Sequence, residues 1–565
     1  MKQYRFDHYY LYGELTACLE ELERDYPRLM KLESICTTPG GRQVWACTIT
    51  NAATGQPQDK PAYYVDGLHH AGEVTGSMAA LHFAVTLVQG YGTDPAVTRL
   101  LDTSTVYIIP RISPDGGEAY LTSPEKLRSV DRPYPYEKRA PGLHAKDMDE
   151  DGVIRLMRIE TPSGAWKECP EDPRVMMRRS PSDVEGKFYD LYAEGDIQDF
   201  DGVNIFPAED KWALDFNRNY PFGWFPEARQ PGAGKYPLSN PEIKAVADFV
   251  IAHPNICAAV SYHTSGGMYI YPPGTRHEKD AEARDMRMFR ELGAMATQET
   301  GYGCYNIFDD FLTDQVNYSS GAFDDWMYQT QGIPTYTAEL WDLAARSGIP
   351  DEHPKKPETP AEQLKLTLAC FKWVDGHVTD YPGGCPIKPW TAFDHPQLGR
   401  VEIGSADFKF TFQNCPPGYL EQEVEKNTRA QLRLAQALPC LAIDRLERVQ
   451  EAPGVYRVTA LVSNSGYLPT FVCNEAKNLR TDRPLKASVR VDGELLSGQT
   501  ETDLGHLEGF SAKDDTMVCG DFYDQAKTAP TRKQLCYVVK AQPGTPFTLA
   551  VHSPKAGKVE ATVTL

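Results

Sequence analysis

Over its first two-thirds the chain alternates short apolar runs with segments of helical period, and this alternation limits the folds open to it more than any other feature. Residues 14–29 carry Leu15, Leu19 and Leu22 at helical spacing, 44–49 and 62–65 read as strands, and 73–89 reads as a helix. The run Thr105-Val106-Tyr107-Ile108-Ile109-Pro110 is a third strand. The pattern continues with a helix over 241–252, a strand over 258–262, helices over 284–300 and 322–331, and a strand over 335–340. Such alternation predicts an α/β domain whose mixed, mostly parallel sheet is flanked by helices. Residues 124–236 interrupt the rhythm with a long polar stretch rich in Asp, Arg, Gly and Pro. A segment of that length inside a compact domain points to a functional insertion, placed here around 124–213.

Two Pro-rich stretches, 350–360 and 381–396, bracket a helix expected over 361–374. Beyond residue 399 period-two alternation with Gly, Pro and Asn punctuation takes over, as in Val455-Tyr456-Arg457-Val458 and Lys558-Val559-Glu560-Ala561. That pattern predicts an all-β sandwich. The expected organisation is therefore a catalytic domain over 1–398 and a β-sandwich over 399–565. The sandwich is suited to packing, to gating of substrates or to forming a homo-oligomer. A length of 565 residues accommodates both units.

Composition removes several classes of function. With 41% hydrophobic and 24% charged residues the chain is neither a membrane protein nor disordered. A net charge of -20 disfavours nucleic acid and anionic membrane surfaces as partners. The 13 cysteines are scattered, with no Cys-x-x-Cys pair, and the first residues carry no apolar core of a signal peptide. Both point to the cytoplasm.

Four short motifs carry the chemistry. His70-x-x-Glu73 follows a strand at the start of a helix, and an imidazole and a carboxylate three residues apart can converge on one ion. Alone the motif is weak, because a chain with 13 histidines produces about one such match by chance. His263 ends an apolar strand, where open α/β sheets bind ligands, and could supply a third ligand. Asn217-Arg218, two residues beyond Asp215, suits the gripping of a carboxylate by a planar guanidinium. Glu339 ends another apolar strand, a costly place for a carboxylate unless it is used. Desolvation there favours a raised pKa and a role as a base.

In order, spacing and strand context these pieces resemble the zinc carboxypeptidase family of funnelin-type metallopeptidases, from about residue 9 to about residue 375. Further matching pieces are Tyr26-Pro27, Gly41-Arg42, Pro114-Asp115-Gly116 and Ser320-Gly321-Ala322-Phe323-Asp324-Asp325-Trp326. The resemblance implies an α/β hydrolytic domain and one catalytic zinc held by His70, Glu73 and His263. It makes Asp215 the residue that orients a zinc-binding histidine, and Glu339 the general base that afterwards protonates the leaving amine. Asn217 and Arg218 become the anchor for the substrate's terminal carboxylate. Arg128 is the implied oxyanion donor, with Arg132 as the alternative. Ser113 stands where the family usually has Asn. The substrate-capping Tyr aligns with Asn317, so Tyr318 fills that role only with a shift of one residue. Asp324 aligns with the floor of the specificity pocket, which implies a preference for C-terminal Lys or Arg.

The implied activity is zinc-dependent hydrolysis of the C-terminal peptide bond of a peptide. A zinc-dependent deacylase or amidohydrolase acting on N-acyl amino acids is the alternative, since such a substrate also bears a carboxylate. A non-catalytic relative is disfavoured because His70, Glu73, His263 and Glu339 are all present. Separately, Asp147, Asp149 and Asp151 before Gly152 have the look of a calcium loop, although Arg158 stands where a calcium-binding Glu is expected.

Overall fold

A computed structural model describes residues 3–135, 139–349, 359–379, 381, 384–513 and 530–565. The first Pro-rich stretch lies almost wholly outside these. Eight strands form the central sheet, in the spatial order Met30–Thr37, Gln43–Ile49, Thr105–Ile109, Ala62–Gly67, Ile256–Thr264, Thr335–Leu340, Met268–Tyr271 and Gly303–Asn306. The four central strands run parallel, and Gln43–Ile49 on one side and Met268–Tyr271 on the other pair with them antiparallel. The sheet is therefore mixed and mostly parallel, as the alternation predicts. Met30–Thr37, Met268–Tyr271 and Gly303–Asn306 lie at or next to the edges and escape sequence reading. Met30–Thr37 buries only Met30 fully and offers no clean alternation.

Helix Val74–Gly90 packs on the sheet and is apolar nearly all round. A helix of that kind needs cover on its outer side as well. Gly67 and Gly76 let it start close to the sheet, since a Cβ on Gly67 would lie 2.7 Å from Gly76 O. The outer cover is helix Pro417–Ala435, which also packs on helix Ala283–Thr300.

This helix corrects the expected division of the chain. The sandwich was expected over 399–565, but its strands begin at Leu441. Two four-stranded antiparallel sheets between Leu441 and Thr564 share one core that includes Val458, Val462, Val489 and Val551. Residues 387–406 are strands of the insertion instead: Gly399–Ala406 pairs with Leu156–Glu160, and together they build a six-stranded antiparallel sheet. The helix is hard to read from sequence because half its buried face is polar, with Glu423, Asn427, Thr428 and Gln431 all buried. Among the described residues no helix is long and apolar enough to cross a membrane.

Candidate active site

The carboxyl ends of three adjacent parallel strands converge on one point. Gly67 closes the first strand and leads through Leu68, in the left-handed region at φ 67, to His70 and Glu73. His263 lies near the end of the central strand, with Tyr262 opposite Gly67 and His263 itself opposite Glu339 on the third. Two buried imidazoles and a buried carboxylate thus meet. His70 Nδ1 lies 3.1 Å from His263 Nδ1 and 2.8 Å from Glu73 Oε1. Glu73 Oε2 lies 2.9 Å from His263 Nδ1. Nitrogen ligands of a tetrahedral zinc, each about 2.0–2.1 Å from the ion, stand roughly 3.3 Å apart. Two imidazole nitrogens and one carboxylate at these separations fit a zinc ion and leave a fourth position for water or substrate.

Asp215 organises the back of the site. Its Oδ1 accepts from His70 Nε2 at 3.0 Å and from Asn217 N at 2.8 Å, and its Oδ2 accepts from Arg128 Nε at 2.8 Å. An ionised carboxylate only accepts, so His70 carries its proton on Nε2 and turns the lone pair of Nδ1 to the site. Burial opposes the Asp215 charge, but Arg128, His70 and Arg218 outweigh it and hold the carboxyl well below its usual range. Burial likewise opposes the charge on Arg128, yet Asp215 and Glu73 keep it firmly protonated.

Arg128 is therefore at the site, 3.7 Å from Glu73 Oε1 through Nη1 and within electrostatic reach of Glu339. Arg132 is not, since its guanidinium pairs with Glu242 on helix Pro241–Ala252. The backbone ties Arg128 to the ligand loop as well: Ala71 N donates to Arg128 O at 2.7 Å. Ser113 hydrogen-bonds the carbonyl of Ser129, the neighbour of Arg128, and Ser129 Oγ accepts from Phe216 N at 3.0 Å. Asp115 is structural, accepting from Gly40 N at 2.9 Å and Arg42 Nη1 at 3.0 Å.

Asn217 Oδ1 accepts from Phe323 N at 2.8 Å and fastens the Phe216–Arg218 turn to helix Phe323–Gln331. Arg218 Nη2 donates to Ser319 Oγ at 3.1 Å. Asn317 is exposed and its side chain donates to Asp314 Oδ2 at 2.8 Å, whereas the half-buried Tyr318 ring stands 5.4 Å from that of Phe225. Asp324 is buried, and its carboxylate accepts from Asp325 N at 2.8 Å and Thr337 Oγ1 at 2.7 Å. Burial first, and then the Asp324 charge, push the Asp325 carboxyl up to about 7.

Asp147, Asp149 and Asp151 also come together, within 4.8 Å, but a cation of the chain already stands among them. Lys388 Nζ donates to Asp149 and, at 2.8 Å, to Asp151 Oδ2, and Arg155 Nε donates to the same Asp151 oxygen at 3.1 Å. Sequence reading missed Ser261, Asp66 and His69. Ser261 Oγ donates to Asp66 Oδ1 at 2.6 Å and lies 3.1 Å from His69 Nδ1 and 3.4 Å from His263 Nε2. Burial, then the nearby His263 and His70, keep His69 neutral. The available signal was strand period, which puts Ser261 and His263 on one face.

A model of zinc carboxypeptidases matches residues 15–353, and one described only as a domain of unknown function matches residues 440–564. Rat carboxypeptidase A2 is 22% identical over 386 residues, covering 67% of this chain and 72% of the relative. Pig carboxypeptidase A1 is 23% identical over 341 residues, covering 59% of this chain and 62% of the relative. Among solved structures, carboxypeptidase A from Helicoverpa armigera is similar at 18% identity and a TM-score of 0.40, covering 66% of this chain and 74% of that one. With the family model spanning more than half of its length and the His70, Glu73 and His263 triad assembled, the chain belongs to the zinc carboxypeptidase family.

Proposed function

We propose that this protein is a zinc-dependent carboxypeptidase that releases single residues from the C-termini of peptides. The observation that carries this reading is the convergence of His70 Nδ1, His263 Nδ1 and the Glu73 carboxylate on one buried point, with Glu339 in register beside His263. A zinc ion held by these three residues supplies Lewis acidity and a water of lowered pKa.

The chain's own groups do the rest. Asn217 and Arg218 bind the terminal carboxylate and place the scissile carbonyl against the ligands. Glu339 takes a proton from the attacking water and returns it to the departing amine. Arg128 donates to the oxygen on which negative charge develops, and Asp215 keeps both Arg128 and His70 in place. Tyr318, next to the Arg218 partner Ser319, covers the bound residue. The buried Asp324 carboxylate, one residue from the Asn217 contact at Phe323, supports a preference for C-terminal Lys or Arg. At the Asp147–Asp151 loop a calcium ion would have to displace Lys388, so we assign the site one metal only.

Peptides differing only in their last residue, incubated with zinc-loaded protein, test the reading by mass spectrometry of the released residue. The expected result is single-residue release, fastest for Lys or Arg, and reduced by about 10²- to 10⁴-fold in Glu339→Gln. Cleavage of N-acyl amino acids with no peptide cleaved would replace the carboxypeptidase by the deacylase.

A further inference from the structure

Glu73 opens helix Val74–Gly90 at the N-cap position, where a side chain normally accepts from the exposed N–H groups of the first turn. It makes no such bond, because its carboxylate is turned toward His70 and His263. The acceptor comes from far along the chain. Asn414 Oδ1 accepts from Thr75 N and from Thr75 Oγ1, each at 3.0 Å. The other end of the same amide, Asn414 Nδ2, donates to Gly72 O at 2.7 Å. Asn414 therefore grips the chain on both sides of Glu73, and it is fully buried.

The surrounding segment is built to hold that amide still. A wide turn over Lys409–Gln413 is closed by Asn414 N donating to Lys409 O at 3.0 Å, and Tyr120 Oη accepts from Asn414 Nδ2 at 3.2 Å. Gln413 presses on Gly72 so closely that a Cβ there would lie 2.6 Å from its Nε2. Tyr9 Oη donates to Cys415 O at 2.6 Å. The same stretch reaches the other wall of the site, two residues beyond Glu339: Trp341 Nε1 donates to Thr411 O at 2.8 Å, and Trp341 N to Glu423 Oε1 at 3.2 Å. Asn414 lies in neither matched region, since these cover 15–353 and 440–564.

We propose that Asn414 is a positioning residue for the metal ligands: a remote N-cap that replaces the capping bond Glu73 gives up and fixes the His70–Glu73 turn in its ligating shape. The inference rests on the reading of His70, Glu73 and His263 as the zinc site.

The test is zinc affinity, measured by chelator competition on the full-length protein. His263→Ala comes first, and loss of stoichiometric zinc there establishes the site. If the wild-type protein binds no zinc, or His263→Ala binds as the wild type does, the site reading fails and the inference with it. With the site established, Asn414→Ala is expected to weaken zinc binding by about tenfold, the range in which groups that orient ligands act. Val462→Ala, in the sandwich core, serves as a control of comparable stability loss and is expected to keep the wild-type affinity. Asn414→Asp, which retains the acceptor for Thr75, is expected to recover part of the loss. A folded Asn414→Ala variant within about threefold of the wild type, or no weaker than the Val462→Ala control, would overturn the proposal.

If Asn414→Ala does not fold, hydrogen exchange on the wild-type protein decides. Coupling is reciprocal, so zinc must slow exchange in 409–415 more than in the strand Val455–Asn464. Equal exchange in 409–415 with and without zinc would overturn the inference.

Discussion

Among the described residues, two groups of side chains are compact enough to hold an ion: His70, Glu73 and His263, and the triplet Asp147, Asp149 and Asp151. They differ in where the countercharge comes from. In the first, two imidazole lone pairs and one carboxylate face a common point, and the groups that hold them act from behind. Asp215 grips the far nitrogen of His70, and Asn414 grips the backbone on either side of Glu73. In the second, three carboxylates are partly exposed, and Lys388 already pairs with two of them while Arg155 donates to one of those two. Convergence alone is thus a poor guide to a metal site. A cluster that carries its own cation is already paired with it, and an ion must compete with that intramolecular pair.

The contrast can be broken at several points. His263→Ala should have the largest effect, abolishing stoichiometric zinc by metal analysis and peptide hydrolysis with it. Equal zinc content in that variant would remove the distinction between the clusters. Arg128→Ala should lower kcat/KM by about 10²- to 10³-fold, chiefly in kcat, because its donor acts on charge that develops during the reaction. A change confined to KM would make it a binding residue instead. Asp215→Asn should weaken zinc by roughly 10- to 100-fold, since an amide no longer enforces the proton on His70 Nε2. Unchanged affinity there would show that the buried loop needs no support from behind.

The smallest effect sharpens the other side of the comparison. Lys388→Met removes the internal cation and should make the melting temperature calcium-dependent, with a rise of about 1 °C at calcium concentrations near tenfold above its Kd. The wild-type protein should show no such rise. A calcium response of equal size in both would mean that Lys388 does not fill the loop's need for charge.

Much of the central sheet is legible in the sequence because its strands are buried on both faces. Ala62–Gly67 and Thr105–Ile109 are short, apolar and punctuated, so composition marks them directly. Helix Pro417–Ala435 is hidden for the opposite reason. Glu423, Asn427 and Gln431 are buried but polar, and their partners, among them Trp341 N and Tyr63 Oη, lie far away in the chain. Hydrophobic periodicity cannot register a face whose burial is balanced by hydrogen bonds to distant groups. The strands of residues 387–406 are hidden likewise, since they look like the start of a β domain but join the sheet of an insertion whose pairing strand lies about 240 residues earlier.

The residue types able to bind an ion were therefore set by local sequence: a His-x-x-Glu at a strand-to-helix turn, a His and a Glu at the ends of neighbouring strands. Spacing could say which side chains were competent, because the chemistry belongs to the side chain and strand ends are marked by local pattern. Tertiary structure alone decided which carboxylate clusters keep room for an ion and which arginine reaches the site. It also delivered the missing cap of the metal-binding helix from a segment some 340 residues away. Those outcomes depend on charges and hydrogen-bond partners brought together from distant parts of the chain, and no local window contains both members of such a pair.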